Sequence, residues 1–470
     1  MRVLFTTQPA VGHFHPLVPL AQALVAAGHE VAVACAPAFS PTVAAGGLRP
    51  LPAGLDWLEE DNFEHHFPRL AGMPPGPGRV AWIMANVFAG VTAERMVADL
   101  LTLAATWPFD LVVRETQEFG GCLAAERLGL PHAVVQVVAP RPRAREILVE
   151  PLTRQRAALG LPSDPELETL HRYLQLSTRP PMLQGVAVPP THHSFRAPIF
   201  DQSMGDALPP WAAGPLTPPV VYATLGTVFT RHVAGLFTPM LDGVREVAGT
   251  LILTVGSRVD PASLGPQPAH VHVERYVPQS LLFSRCDLVV THGGSGTLMA
   301  ALSHGLPLVV IPIGADQPDN AARVADLGLG RVIGRGSGRL RRLAMRCGGT
   351  ERPSLLRAGT ADTDGDRGAA GRGAGRDAPG AAGHRAAANN SSARQALVPS
   401  ARAGAPCSSG YLRALYRRDP HLFSWWVEEA RRKDLTLVDT TGDGLADVLY
   451  EALCRVAVAR CRCSQLCSMG

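Results

Sequence analysis

The sequence predicts an α/β protein with two doubly wound parallel sheets, and three observations support that prediction. Short apolar runs alternate with stretches of helical periodicity, a pattern typical of parallel sheets whose strands are joined by helices. A proline-rich stretch separates two similar parts of this pattern. The chain has 470 residues, 46% of them hydrophobic, which is enough for two or three domains with large cores.

The first part opens with a strand, a loop and a helix. Gln8–His15 is predicted to be a loop, and the helix that follows is expected to end at Gly28. The predicted strands are Arg2–Thr7, Glu30–Ala36, Asp110–Val113 and His132–Val138, with a helix around Gly120–Leu128. Stretch 56–79 is irregular, and stretch 139–195 is less regular and polar; long insertions of this kind usually lie at the ligand face of a parallel sheet.

The second part follows a stiff linker, Ala207–Pro219, which is rich in proline. Its predicted strands are Val220–Leu225, Leu251–Val255, Val271–Glu274, Leu288–Thr291 and Leu308–Pro312. We therefore predict one Rossmann-like domain at residues 1–205, a linker at 206–219 and a second Rossmann-like domain at 220–333.

The composition changes near Gly334. Residues 334–410 are dominated by glycine, alanine and arginine and contain no aromatic side chain, so this segment is predicted to be disordered. A shifted reading frame in GC-rich DNA and a genuine disordered extension both explain such a composition. Residues 411–470 regain helical character and form a tail without an assigned role.

The charge and the cysteines limit the classes of partner and the location. A net charge of +4 implies no strong attraction to nucleic acid or anionic membrane. No signal peptide and no membrane-length apolar run are visible, which favours the cytoplasm. The cysteines lack the paired spacing of a zinc site, and the acidic strings at 362–366 and 439–444 depart from a calcium loop, so no metal site is predicted.

Residues 291–320 carry the strongest functional signal. A buried strand is followed by a glycine-rich turn with His292 and then by a helix from about Thr297, and the N-terminus of such a helix suits a phosphate. A second strand brings Asp316 and Gln317 to the same edge, where an acid and an amide suit sugar hydroxyls. The glycines alone would also fit an ordinary turn between a strand and a helix. The whole pattern, which adds His292, Asp316 and Gln317, is far more specific than the glycines alone.

The pattern His-Gly-Gly-x-Gly-Thr, about twenty residues and then Asp-Gln-Pro-x-Asn resembles the C-terminal signature of the GT-B nucleotide-sugar glycosyltransferases. This branch contains natural-product enzymes and UDP-glucuronosyltransferases. The resemblance implies two Rossmann-like domains facing a cleft, with an acceptor-binding first domain and a nucleotide-sugar-binding second one. The donor-binding residues that it implies are Gly226, Thr227, Val277, Gln279, His292, Gly294, Ser295, Gly296, Thr297, Asp316 and Gln317.

The resemblance also assigns the catalytic groups. His13, in the loop after the first strand, maps to the family histidine that takes the proton of the acceptor hydroxyl, a task suited to an imidazole. Glu115 stands where the family has an aspartate that orients this base, and it is one methylene longer. His15 is interpreted as a structural neighbour that helps the following turn.

Ala300 stands where plant and mammalian relatives often have a glutamate that binds the ribose hydroxyls. Because alanine cannot make that bond, a thymidine-diphosphate deoxysugar is modestly favoured over a UDP-sugar.

The resulting hypothesis is an inverting glycosyltransferase that needs no metal or other cofactor and moves a sugar from a nucleotide-sugar donor to a small hydrophobic acceptor. Two alternatives stay open. One is a GT-B nucleotide-sugar epimerase, and the other is an inactive homologue that binds nucleotide sugar, for which the atypical tail is the main support.

Overall fold

The computed structural model describes residues 1–57, 66–74, 76–196, 198–201, 207–226, 234–245 and 248–334. Apart from Gly334, the predicted segments 334–410 and 411–470 lie outside these residues, as does the predicted donor-binding residue Thr227.

Seven parallel strands form the first sheet, in the order β3-β2-β1-β4-β5-β6-β7. They are β1 (Arg2–Thr6), β2 (Glu30–Cys35), β3 (Arg49–Pro52), β4 (Leu111–Glu115), β5 (His132–Gln136), β6 (Leu174–Ser177) and β7 (His192–Ser194). The chain order reverses between β1 and β4. Ligands of such sheets bind in the crevice beyond the carboxyl ends of the two strands at this reversal.

Helices cover both faces of this sheet, which explains why β1 and β4 are buried almost throughout. Phe5 belongs to the apolar cluster on one face and Leu4 to the cluster on the other, as alternation along a strand requires. The helices are α1 (Val11–Phe14), α2 (Val18–Ala26), α3 (Ser40–Ala45), α4 (Pro77–Trp82), α5 (Thr92–Thr106), α6 (Gly120–Leu128), α7 (Ala144–Ala158) and α8 (Pro181–Gln184), with a π-helical stretch at Ile83–Val91.

Six parallel strands form the second sheet, in the order β10-β9-β8-β11-β12-β13, which reverses between β8 and β11. The strands are β8 (Val220–Thr224), β9 (Thr250–Thr254), β10 (Val271–Glu274), β11 (Leu288–Thr291), β12 (Leu308–Val310) and β13 (Gly330–Val332). The helices from the linker onward are α9 (Pro210–Ala213), α10 (Phe237–Val244), α11 (Gln279–Leu282), α12 (Ser295–Ser303) and α13 (Gln317–Asp326). The predicted fold class, two doubly wound parallel sheets, is therefore confirmed.

Two local predictions were wrong. Part of the predicted loop 8–15 is the short helix α1, whose first turn has no acidic residue and no side-chain cap to mark it in the sequence. The stretch 139–195 is not irregular, because it contains α7, β6, β7 and α8. The interior Pro151 and the polar composition of α7 hide its helical periodicity.

Across the described part of the chain, no helix is both long and apolar enough to cross a membrane. Within the same residues, Cys35, Cys122 and Cys286 are buried free thiols.

Candidate active site

His13 and Glu115 lie where the strand order of the first sheet reverses. His13 is in α1, directly after β1, and Glu115 is the last residue of the neighbouring strand β4. The imidazole Nδ1 of His13 lies 2.9 Å from Oε1 of Glu115. The carboxylate is fully buried, whereas 19% of the His13 side chain is exposed, so the histidine is the member of the pair that can meet a substrate.

The carboxylate of Glu115 is held from its other side as well. The backbone N–H of Gln117 donates to Oε2 of Glu115 at 2.6 Å, which leaves Oε1 for His13. Because an ionised carboxylate only accepts hydrogen bonds, His13 donates from Nδ1 and carries its lone pair on Nε2. That nitrogen can take a proton from a bound hydroxyl.

The basicity of His13 depends on this pair. Burial acts to lower the pKa of His13, but the charge and hydrogen bond of Glu115, with a further contribution from the Asp316 carboxylate, raise it above the ordinary value of 6.5. A raised pKa makes the imidazole a stronger base for taking a proton from an alcohol.

An aromatic contact links His13 to an apolar region. The ring of Phe88, in the π-helical stretch, lies 6.2 Å from that of His13, and Trp57 lies 6.1 Å beyond Phe88. Trp57 belongs to a buried apolar cluster with Leu70 and Val87, and Phe88 packs against it. An apolar region therefore begins next to the ring of His13.

The second sheet carries its own site at the reversal between β8 and β11. Gly226 follows β8 and His292 follows β11, and the imidazole lies directly over the glycine. A methyl group on Gly226 would come within 2.6 Å of Nε2 of His292, and the backbone of Gly226 has φ of +80°. Only glycine satisfies both conditions without strain.

The turn after His292 leads into α12, nine residues long, with Gly294 at the cap position and no side chain capping the helix. The first N–H groups of a helix have no partner within it, so this end is suited to an anion. Ser295, Gly296 and Thr297 supply those groups, as the resemblance implies for the phosphates. The helix begins two residues earlier than predicted.

Asp316 and Gln317 stand at the start of α13 and present complementary groups. Oε1 of Gln317 accepts the backbone N–H groups of Ile313 and Gly314 at 2.8 and 2.9 Å, so its NH₂ group is the part left for a ligand. Oδ2 of Asp316 accepts from the hydroxyl of Ser295 at 2.8 Å. An acceptor and a donor thus stand side by side for sugar hydroxyls.

The two domains are in contact at Asp316. The backbone N–H of Ala139, in the first domain, donates to Oδ2 of Asp316 at 2.9 Å. Arg141 donates to the carbonyl of Ala315 at 3.0 Å and pairs with Asp319 at 3.5 Å. These contacts bring the His13 dyad and the glycine-rich turn to one site, with each domain contributing the point at which its strand order reverses.

Comparison with known proteins identifies the family. Residues 238–354 match the family described as Erythromycin biosynthesis protein CIII-like, C-terminal domain. L-demethylnoviosyl transferase of Streptomyces niveus is 34% identical over 357 residues, which cover 74% of this chain and 89% of that protein. The chain belongs to the antibiotic glycosyltransferases.

Solved structures of antibiotic glycosyltransferases share its fold. SnogD from Streptomyces nogalater is 28% identical with a TM-score of 0.60, over 74% of this chain and 91% of SnogD. SsfS6 from Streptomyces sp. SF2575, complexed with thymidine diphosphate, is 27% identical with a TM-score of 0.56, over 73% of this chain and 95% of SsfS6. The predicted GT-B architecture and glycosyltransferase activity are confirmed, and nothing supports the epimerase alternative.

Asn320 and Arg179 contact the candidate site, and the sequence does not predict that they hold its other residues in place. Asn320 is fully buried, and its amide donates to the carbonyl of Gly293 at 2.8 Å and to Oδ2 of Asp316 at 3.2 Å. Its Oδ1 accepts from Arg179 of the first domain at 2.9 Å. The asparagine is visible in the motif, but nothing in the sequence around Arg179 indicates that it reaches the second domain.

Glu118 is a second buried acid behind the dyad. Its Oε2 accepts from the hydroxyl of Thr6 and, at 2.9 Å, from the backbone N–H of Gly121. Burial raises the pKa of Glu118, and the nearby Glu115 carboxylate raises it further, against the hydrogen bonds from Thr6 and Gly121. Glu118 thereby ties the end of β1 to the start of α6 close to the His13–Glu115 pair.

Val277 and Gln279 are two further residues that the sequence predicts to bind the donor. The Val277 side chain is fully buried in the core, so only its backbone can meet a nucleotide. The Gln279 amide donates to the hydroxyl of Thr297 at 3.1 Å. Ala300 is buried in the same apolar cluster as Val277, so a glutamate introduced there would bury its carboxylate unless it reached a bound ribose.

Replacing His292 with alanine is expected to weaken both nucleotide binding and turnover. Burial lowers the pKa of His292 to about 4, although Asp316 opposes the shift, so the imidazole is neutral at pH 7 and its N–H can donate to a phosphate. Loss of one charge-assisted hydrogen bond costs about 1.5–3 kcal/mol. Titration of thymidine diphosphate into the variant measures this cost, and an unchanged Kd would rule out the contact.

The pH dependence of binding provides the control. A bound diphosphate favours the charged imidazole and so raises the pKa of His292. As the pH falls through the pKa of the complex towards that of the free protein, the wild-type protein should take up a proton on binding and bind the nucleotide more tightly. The alanine variant should lack this contribution.

Proposed function

We propose that this glycosyltransferase moves a deoxysugar from a thymidine-diphosphate donor to a hydroxyl of a small hydrophobic acceptor, with inversion at the anomeric carbon. The observation that carries the proposal is the His13–Glu115 pair, joined at 2.9 Å, at an edge of the first domain that contacts Asp316. The thymidine-diphosphate complex of SsfS6 supports the choice of donor.

In the proposed reaction the acceptor hydroxyl lies on Nε2 of His13. The imidazole takes the hydroxyl proton as the oxygen attacks the anomeric carbon, and the resulting imidazolium is stabilised by Glu115. The new carbon–oxygen bond forms as the bond from the sugar to the diphosphate breaks. A single displacement of this kind inverts the configuration of the anomeric carbon.

The leaving diphosphate gains negative charge as its bond to the sugar breaks. We propose that the N–H group of His292 and the N-terminus of α12 stabilise that charge, while Asp316 and Gln317 hold the sugar hydroxyls. Because these groups meet the developing charge themselves, no divalent metal is required in the proposal. Activity that survives dialysis against a chelator would support this point.

The acceptor is proposed to lie on the aromatic side of the dyad. Phe88 and Trp57 lead from His13 to an apolar cluster. Such a lining suits a flat or hydrophobic aglycone better than a sugar or a peptide. A cytoplasmic location stays a prediction.

The direct test is transfer with defined substrates. The full chain is incubated with a thymidine-diphosphate deoxysugar and a panel of polyketide aglycones, and release of thymidine diphosphate is followed together with the mass of the glycoside. The anomeric configuration is then read from proton coupling constants. Retention of configuration would contradict the single displacement, and tight nucleotide binding without transfer to any acceptor would favour the inactive homologue.

Competition between free nucleotides tests the donor separately. Because Ala300 offers no carboxylate to the ribose hydroxyls, thymidine diphosphate is expected to bind at least as tightly as UDP. Isothermal titration of both ligands into the wild-type protein gives the ratio. UDP binding more than about tenfold tighter, a difference of roughly 1.4 kcal/mol, would contradict the proposed donor.

A further inference from the structure

Arg179 is a buried cation of the first domain that reaches into the second. It follows β6, and 2% of its surface is exposed. Its backbone is fixed within the first domain, because its N–H donates to Ser177 at 3.1 Å and its carbonyl accepts from Ser194 at 3.1 Å. The arginine is therefore held rigidly where it crosses the boundary between the domains.

The guanidinium contacts the turn that precedes α12. It donates to Oδ1 of Asn320 at 2.9 Å and more weakly to the hydroxyl of Ser295 at 3.4 Å. Asn320 in turn donates to the carbonyl of Gly293, so one side chain of the first domain fixes both ends of the Gly293–Ser295 turn.

The positive charge of Arg179 is only partly balanced by its surroundings. Its guanidinium donates to uncharged oxygens of Asn320, Ser295 and Leu183, and among the described residues its buried Nε–H has no hydrogen-bond partner. Burial lowers the pKa of Arg179, the Asp316 carboxylate opposes this shift, and the charge of Arg323, which donates to the carbonyl of Met182, adds to it. A buried cation without an ion pair of its own is stabilised by further negative charge nearby.

We propose that Arg179 is a positioning residue of the donor site, which holds the Gly293–Ser295 turn and supplies a buried positive charge that the diphosphate of the donor neutralises. The inference rests on the proposed function, because it takes the anion to be a nucleoside diphosphate. It follows that the donor site is complete only when the two domains are in contact. An acceptor-domain residue would then contribute to nucleotide affinity without touching the acceptor.

Nucleotide binding to charge variants tests the proposal. In Arg179→Met, the Kd for thymidine diphosphate should rise by about 10- to 100-fold, the size of one lost charge-assisted contact. The affinity for thymidine, which has no phosphate, should not change. Arg179→Lys, which keeps the charge, should retain part of the affinity, and the salt dependence of diphosphate binding should be weaker in the methionine variant than in the wild type.

Arg156→Met is the matched control, because Arg156 is also a buried arginine of the first domain but bonds to Pro162 and Thr169, away from the donor turn. It should lower the Tm and leave the Kd unchanged. If Arg179→Met does not fold, Arg179→Gln removes the charge and keeps hydrogen-bonding capacity, and it should show the same loss.

The outcomes separate this inference from the proposed function. Wild-type protein that binds thymidine diphosphate, together with an Arg179 variant that binds it equally well, overturns the inference alone. An equal loss for thymidine and thymidine diphosphate also overturns it, since the role would then be structural. Wild-type protein that neither binds thymidine diphosphate nor transfers sugar overturns the proposed function.

Discussion

Replacing His13 with alanine is expected to lower turnover by about 10²–10⁴-fold, the usual contribution of a positioned general base. The variant loses the only imidazole that touches Glu115 among the described residues, so the acceptor hydroxyl would have to be deprotonated by water. Binding of thymidine diphosphate should be nearly unchanged, because the phosphate-binding turn belongs to the other domain. Turnover with saturating acceptor and nucleotide titration measure the two effects independently.

His15→Ala is the control for this variant. His15 packs edge-on against Phe200, with ring centroids 5.0 Å apart, and burial lowers its pKa to about 4, with Asp201 opposing the shift. A histidine packed in this way is a weak base, so its removal should be much milder. Wild-type turnover in the His13 variant, or a larger loss in the His15 variant, would refute the assignment of the base.

Those parts of the fold that depend on regular patterns could be predicted from sequence. The buried strand Leu288–Thr291 occurs where its apolar run predicts it, because a strand covered on both faces must be apolar throughout. The helix Ala144–Ala158 could not be found in this way. It packs only a few residues, such as Leu148 and Leu152, against the domain, so its sequence is mainly polar.

The residues of the candidate site also fall into those that a regular pattern predicts and those that it does not. His13, Glu115 and His292 lie at the ends of strands, and the topology of a doubly wound sheet brings such positions to one edge. Arg179 and Glu118 act through burial and through partners distant in sequence, such as Asn320 and Thr6, and no local pattern marks contacts of that kind. The roles of all these residues in catalysis and donor binding stay predictions until variants are measured.

Replacing Glu115 with glutamine is expected to be nearly as damaging as the loss of the base, about 10²–10⁴-fold in turnover. The carboxylate accepts hydrogen bonds on both oxygens, from His13 and from the backbone N–H of Gln117. Glutamine replaces one oxygen with an NH₂ group, so in either orientation a donor faces a donor. If the NH₂ group faces His13, the imidazole is driven to the tautomer whose Nε2 is protonated and cannot act as base.

The pH profile distinguishes this explanation from a loss of folding. As the proposed base, His13 can take a proton only when neutral, so activity is expected to fall as the pH drops through its pKa, which Glu115 and Asp316 raise above 6.5 in the wild type despite burial. Without the charge of Glu115 that pKa falls, and the acidic limb of the kcat/KM profile should move to lower pH. Glu115→Asp keeps the charge and should shift the limb less and lose less activity. A glutamine variant with the wild-type rate and an unmoved acidic limb would show that Glu115 does not control the base.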